Sequence, residues 1–461
     1  MAPKFGTSGL RGLVTELTED LVRDYVTAFI AACPHGGTVY VGRDLRPSSP
    51  QIAGWVIDAA MAAGLEAVDC GALPTPALAL ASINARGSAV MVTGSHIPAD
   101  RNGLKFYVPT GEISKEDEAA IVAAIGTVTR VPAKGASRTQ DASTAYVARY
   151  VDAYGDVLTG LTVGVYQHSS VARDLMVEVF TALGATAVPI ARSDTFIPVD
   201  TEALDPETQA LFAGWFTEHG LDVLVSTDGD ADRPMVVDDA GRVVPGDVLG
   251  TLTAQALKAR IVVTPVSSNS MVADPSFGFA QIERTRIGSP FVIAAMEDAM
   301  DDDHDAEVVG YEANGGFLLG FTATAPAGPL APLMTRDCLL PVIAPLAAAQ
   351  AQGKTLAQVW NALPPVFTAA DRLQGIETEK SGAFLAELSS SLEARTAFLG
   401  ETEAALDATD GLRMTLGCGR VVHLRPSGNA PEFRCYAEAN TREAATTLMR
   451  ETLEKVQTKL G

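Results

Sequence analysis

Apolar and polar positions alternate along the chain in a pattern that recurs. Residues 37–71 read as a short apolar strand (TVYVG), a polar turn, an amphipathic helix stopped by a glycine, and a second strand. Residues 161–190 repeat that order with a shorter loop before the helix. A weaker third copy begins at RIVVTPVSSNSMVADP, residues 260–275. Repeated strand–helix–strand units imply parallel strands joined by right-handed crossovers. The copies are too widely spaced for a solenoid, so they read as tandem domains. The remainder opens with a helical pattern (GAFLAELSSSLEARTAFL), continues with strand patterns at 411–417, 420–426 and 432–439, and closes with a helix from Thr441 onward. Breaks are expected at 131–144, 246–250 and 364–371, giving units 1–145, 146–249, 250–366 and 367–461. The expected fold is α/β: three tandem α/β domains with mixed or parallel sheets, plus a C-terminal α+β domain.

Composition narrows the class. The chain has 461 residues, 34 basic against 56 acidic, for a net charge of −22. Such a surface repels nucleic acid and anionic membranes, so neither is an expected partner. The start, MAPKFGTSGLRG, has no apolar core of a secretory signal, and the apolar stretch 339–351 is too short to span a bilayer. Five cysteines without a C-x-x-C pair argue against a disulfide framework or a zinc site. A soluble, cytoplasmic protein is the expectation.

Three segments carry candidate chemistry. In LDVLVSTDGDADR an apolar run leads to Asp228, Asp230 and Asp232. Extended geometry through the triplet would put all three carboxylates on one face, where a hard divalent cation would offset their repulsion. An EF-hand is excluded, because Arg233 stands at the required glycine and Asp239 at the twelfth position. A solvated acidic turn is the competing reading, and Asp301–Asp302–Asp303–His304–Asp305, with no strand leading in, is read that way. In SAVMVTGSHIPADRNGLKFY a strand ends at Gly94 and presents Ser95 and His96, with Lys105 further on. A serine there suits a nucleophile or a phosphate carrier, although a glycine-punctuated loop has the same look. The G-x-S-x-G elbow of serine hydrolases is absent. In LRPSGNAPEFR, Arg425 and Arg434 bracket Ser427, Gly428 and Asn429, a composition able to clamp a phosphate. KFGTSGLRG places Arg11 among glycines. Arg43 and Arg46 either add positive charge or lie on the surface paired with Asp44. In GYEANGGF, Glu312 and Asn314 beside Gly315 and Gly316 form either a sugar-hydroxyl contact or a tight turn.

Taken in order, FGTSGLRG, TGSHIPADRNGLKF, DGDADR, GYEANGG and RPSGNAPEFR resemble the α-D-phosphohexomutase family across the whole chain. The resemblance implies four domains around a central cleft and interconversion of hexose 1- and 6-phosphates, with mannose the leading sugar and glucose or glucosamine the alternatives. It implies that Ser95 is phosphorylated and that Mg²⁺ is held by Asp228, Asp230, Asp232 and a phosphoserine oxygen. It places Arg11, His96 and Lys105 beside the phosphoserine and Arg233 near the metal. Glu312 and Asn314 would lie at the sugar. Arg425, Ser427, Gly428, Asn429 and Arg434 would grip the non-reacting phosphate. A hexose 1,6-bisphosphate is the implied intermediate, and a monomer or homodimer acting on a small sugar phosphate the implied assembly.

The sequence also departs from the family pattern. Ile97 stands where many relatives have asparagine, Asn314 and Gly316 where serine and histidine are frequent, and Ser289 where histidine is frequent. Asn429 and Ala430 replace a common Thr-Glu. These changes bear on sugar identity and on the proton acceptor, and leave the serine, the aspartates and the clamp arginines intact. Rival classes are a metal-dependent phosphatase, disfavoured because Asp232 stands where D-x-D-x-[TV] needs Thr or Val, and a non-catalytic binder, which would be expected to lose Ser95 or an aspartate.

Overall fold

The computed structural model describes residues 3–6, 9–128, 134–202, 204, 206–426 and 432–460. One topology occurs three times. In the first unit, strands Thr38–Arg43, Glu66–Ala72 and Ser88–Val92 run parallel with the first in the middle. The third then reverses into the antiparallel strand Arg101–Val108. The second unit repeats this with Thr162–His168, Thr186–Arg192 and Val223–Thr227, reversing into Pro234–Val237. The third uses Ile261–Pro265, Gln281–Thr285 and Val308–Tyr311, reversing into Phe317–Leu319.

These strands are short apolar runs because helices or other sheets cover them on both faces: every residue of Ser88–Val92, Val223–Thr227 and Val308–Tyr311 is buried. The crossover helix Ser49–Ala62 buries the stripe Ile52, Ala53, Val56, Ala59 and Ala60, as a 3.6-residue period requires. The third unit reads weakly in the sequence for a structural reason. Its first crossover consists of two 3₁₀ turns, Ser270–Ala273 and Pro275–Phe277, each capped by the Asn or Asp side chain before it.

The last unit is a five-stranded antiparallel sheet that adds Phe367–Gln374 and Glu403–Asp407 to the three strands expected. Helices Thr378–Ser390 and Arg442–Leu460 pack on it. The single helix expected after residue 382 is split. Ser391 leaves helical geometry and its side chain caps a second helix, Leu392–Leu399. The cut points expected at 145 and 249 fall inside helices Ser143–Tyr154 and Gly246–Ala256. One continuous core joins the first three units, with Met91 and Tyr107, Val163 and Phe180, and Val309 and Phe317 all in it. The last unit has its own core around Phe384, Leu388, Val422, Phe433 and Val456. Among the described residues, no helix is long and apolar enough to cross a membrane.

The turn after each third parallel strand lies at the carboxyl end of its sheet, where α/β folds bind ligands. In the three units these turns are residues 93–100, 228–233 and 312–316.

Candidate active site

Ser95 sits in left-handed backbone, φ +53°, a conformation that needs support in a residue with a side chain. Its N–H donates to Thr93 Oγ1 at 2.8 Å and its carbonyl accepts from Arg46 Nη2 at 2.8 Å. Arg46 is buried. Its guanidinium also donates to the carbonyls of Ile97, Pro98 and Arg101 at 2.6, 2.6 and 3.1 Å, and Asp44 balances its charge at 3.0 Å. A Cβ on Gly94 would lie 2.5 Å from Arg46 Cζ, so the glycine makes room for the brace. Arg46 is therefore paired with Asp44 as one reading had it, but inside the protein rather than on its surface.

The metal turn departs from expectation in its geometry. Asp228, Asp230 and Asp232 do not lie on an extended strand, which ends at Thr227. The chain turns tightly, with Ala231 at φ +57°, and Asp228 Oδ1 accepts from the N–H groups of Asp232 and Arg233, each at 3.3 Å. The turn still converges the carboxylates: ligand atoms of the three lie within 4.8 Å of one another. This is the one such group among the described residues. Ser95 Oγ donates to Asp228 Oδ2 at 2.7 Å, which joins the serine turn of the first unit to the acidic turn of the second.

Lys105 Nζ lies 2.5 Å from Oδ2 of both Asp230 and Asp232, and Thr75 Oγ1 donates to Asp230 Oδ2 at 2.9 Å. Oδ1 of Asp230 and of Asp232 are buried without a hydrogen-bond donor. Hard carboxylate oxygens left over in a buried, converging set fit a divalent cation such as Mg²⁺. The electrostatics agree. Burial and then repulsion from Asp230 and Asp232 push the Asp228 carboxyl well up. Burial acts the same way on Asp230, but the Lys105 ammonium, the Thr75 hydroxyl and the Arg11 charge together outweigh it and hold that carboxyl below its usual range.

Around this centre, His96 Nδ1 is 3.4 Å from Ser95 Oγ, and burial, then the nearby Arg233 charge, bring its imidazole down to about 4. Burial lowers Arg11 to about 10, against the pull of Asp230 and Asp232. Arg233 faces Glu202 at 3.5 Å. Glu312 is buried and its backbone N–H closes the turn 312–316 by donating to the Gly316 carbonyl at 3.2 Å. Asn314 Oδ1 accepts from Gly316 N at 3.0 Å, so that side chain braces its own turn. In the last unit Arg425 and Arg434 are direct cross-strand partners, and Arg372 pairs with Arg434 on the other side. Like charges directly opposite destabilise a sheet unless anions sit among them. Asp410 takes Arg425 at 2.9 Å, and Glu432 lies between Arg372 and Arg434 at 3.4 and 3.3 Å. Ser427, Gly428 and Asn429 lie outside the described residues.

Sequence reasoning did not single out Thr75, Glu112, Glu202, Arg336 or Arg372. Only Arg336, a charge within the short strand Leu333–Asp337 (LMTRD), gave a local hint.

The phosphoglucomutase/phosphomannomutase models match in order: alpha/beta/alpha domain I over residues 2–131, domain II over 144–241, domain III over 245–367 and the C-terminal domain over 378–455. A phosphomannomutase of Sinorhizobium fredii strain NGR234 is 44% identical, covering 97% of this chain and 98% of that protein. A phosphomannomutase of Salmonella muenchen is 40% identical, covering 99% and 96%. Among solved structures, a phosphoglucomutase/phosphomannomutase family protein from Burkholderia thailandensis superposes with a TM-score of 0.79 at 22% identity, covering 98% of this chain and 97% of that one. That likeness is one of fold.

Proposed function

The chain belongs to the phosphoglucomutase/phosphomannomutase family, the α-D-phosphohexomutases, and from that premise we propose that it interconverts hexose 6-phosphate and hexose 1-phosphate through Ser95, with mannose as its sugar. The observation that carries the reading is the Ser95 hydroxyl 2.7 Å from Asp228 within a converging acidic triplet.

A hydroxyl oxygen of the bound sugar phosphate attacks the phosphorus carried on Ser95. The bond from phosphorus to Ser95 Oγ breaks, the hydroxyl loses its proton, and the serine oxygen regains one. The product, a hexose 1,6-bisphosphate, turns around in the cleft, and its other phosphoryl group returns to Ser95. His96, neutral near pH 7, is placed to accept a proton beside Ser95 Oγ. Lys105 and Arg11 supply positive charge beside Asp230 and Asp232, next to the acidic triplet that Ser95 meets. Asp228, Asp230, Asp232 and an oxygen of phosphorylated Ser95 would hold Mg²⁺, which when bound offsets charge on the transferring phosphoryl group.

Arg233 and Glu312 would bind the sugar phosphate, with Asn314 bracing the turn that carries Glu312. Arg425 and Arg434, with Ser427, Gly428 and Asn429, grip the phosphate that is not reacting. One clamp must serve both orientations, and a row of arginines that binds charge rather than sugar shape suits that demand. The working division is four units, 1–145, 146–249, 250–366 and 367–461, bearing the serine, the metal turn, the sugar turn and the clamp. The enzyme would work in the cytoplasm, as monomer or homodimer.

Phosphopeptide mapping of the active protein should place phosphate on Ser95, and Ser95→Ala should remove turnover while the fold persists. An active enzyme never phosphorylated there would overturn the mechanism. Mannose, glucose and glucosamine 1-phosphates assayed side by side should rank mannose first, and another sugar in first place would reassign the substrate.

A further inference from the structure

A single buried guanidinium meets carboxylates from three units. Arg336 lies on strand Leu333–Asp337 and is 3% exposed. Its Nη2 is 2.8 Å from Asp232 Oδ2 in the metal turn, and its Nη1 is 3.6 Å from Glu312 Oε2 in the sugar turn. Its Nε is 3.7 Å from Oε1 of Glu112, on strand Gly111–Glu112 of the first unit. Glu112 is itself fixed from the third unit: Thr335 Oγ1 donates to Oε1 at 3.1 Å and Ser289 Oγ to Oε2 at 2.9 Å. The stem of Arg336 is fixed as well. A Cβ on Gly316 would lie 2.9 Å from both Cγ and Cδ of Arg336, so the arginine fills the volume that a side chain at 316 would need. Two of the departures in the sequence, Ser289 and Gly316, thus belong to one network centred on Arg336.

The placement has a consequence for the metal turn. Asp232 Oδ2 is shared by Arg336 and Lys105, which leaves Oδ1 as the oxygen without a protein donor. Outer partners of this kind orient a ligating carboxylate. The same planar cation, through a different nitrogen, meets the carboxylate of the sugar turn, and the rigid fork of a guanidinium fixes those directions relative to one another. We infer that Arg336 is a positioning residue that couples the metal turn to the sugar turn, aligning Asp232 and Glu312 in one frame with Glu112 as the anchor. The inference rests on the mutase reading of the site, so its test needs a readout that does not pass through turnover.

Full-length Arg336→Gln and Arg336→Lys would be titrated with Mn²⁺ in the absence of sugar, followed by electron paramagnetic resonance, and KM and kcat for mannose 1-phosphate measured separately. For Arg336→Gln we expect Mn²⁺ affinity to fall about 10–100-fold and KM to rise with it. Arg336→Lys, which keeps the charge but not the fork, should lie between the two. A folded Arg336→Gln that keeps both Mn²⁺ affinity and KM, or changes only one, overturns the coupling. Should Arg336→Gln fail to fold, Glu112→Gln tests the same claim without touching the triplet. A smaller loss in both readouts supports the coupling, and no loss in either overturns it. A wild-type protein that binds Mn²⁺ but turns over none of the three sugar phosphates would sink the mutase reading instead, leaving the Mn²⁺ titrations to judge Arg336.

Discussion

The turns at 93–100 and 228–233 both follow the third parallel strand of their unit and both reverse the chain into an antiparallel strand, but they are held in opposite ways. In the serine turn, carbonyl oxygens of Ser95, Ile97, Pro98 and Arg101 converge on Arg46, a cation brought in from another loop. In the metal turn, Asp228 Oδ1 collects the N–H groups of its own turn, and outside cations serve mainly to balance charge. The first shape gathers most of its carbonyls on one remote side chain, with Thr93 Oγ1 and Asp44 taking its N–H groups at Ser95 and Gly94. The second is closed by its own groups, and other segments tie it down from outside, with Thr75 N and Val171 N donating to the carbonyls of Asp230 and Gly229 at 2.9 and 3.2 Å.

That contrast predicts different failures. The largest effect is expected from Arg46→Met, which leaves Asp44 as an uncompensated buried charge and removes the brace behind Ser95. Denaturant unfolding should show a loss of about 3–5 kcal/mol, and mass spectrometry should find Ser95 no longer phosphorylated. Normal phosphorylation at wild-type stability would show that the serine turn holds itself. Next comes Asp230→Asn, which alters charge but keeps a side chain that can still accept from Thr75 and leaves the Asp228 closure of the turn in place. The Mg²⁺ concentration for half-maximal activity should rise about 10–100-fold, while stability changes by less than in Arg46→Met. A collapse of stability equal to that of Arg46→Met would erase the distinction.

The smallest effect tests a buried carboxylate outside both turns. Asp247 accepts from Asn269 N at 2.8 Å through Oδ2, while Oδ1 is buried without a donor. Burial pushes its carboxyl up to about 6, with the Asn269 N–H pulling the other way and Glu438 adding repulsion. The folded state then binds more protons than the unfolded one between about pH 4 and 6, so this group lowers stability as pH rises through that window. Asp247→Asn should gain on the order of 1–2 kcal/mol at pH 7–8 and nothing near pH 4. Melting temperatures across pH measure it, and an unchanged slope would mean the carboxyl ionises freely in the fold.

The particular elements show where sequence reasoning stopped. The strands ending at Val92 and Thr227 and the acidic triplet could be read because apolar runs and short motifs are local signals. The path through Asp228, Asp230 and Asp232 was misjudged as extended, since nothing in D-G-D-A-D announces a left-handed alanine at 231. The crossover of the third unit was faint because it is built from 3₁₀ turns instead of an amphipathic helix.

By itself, then, the chain determined its repeating strand–helix–strand order and its acidic class, and it put forward Ser95, the three aspartates, Arg425 and Arg434 as candidates. The order follows from side-chain periodicity, and the candidates from short motifs together with the family resemblance they carry in sequence. Tertiary structure alone decided that Arg46 is interior, that Thr75 reaches Asp230 across 155 positions, and that Arg336 stands between the metal and sugar turns. A buried charge is tolerated only where its partners converge, and those partners come from segments that meet only when separate sheets pack together.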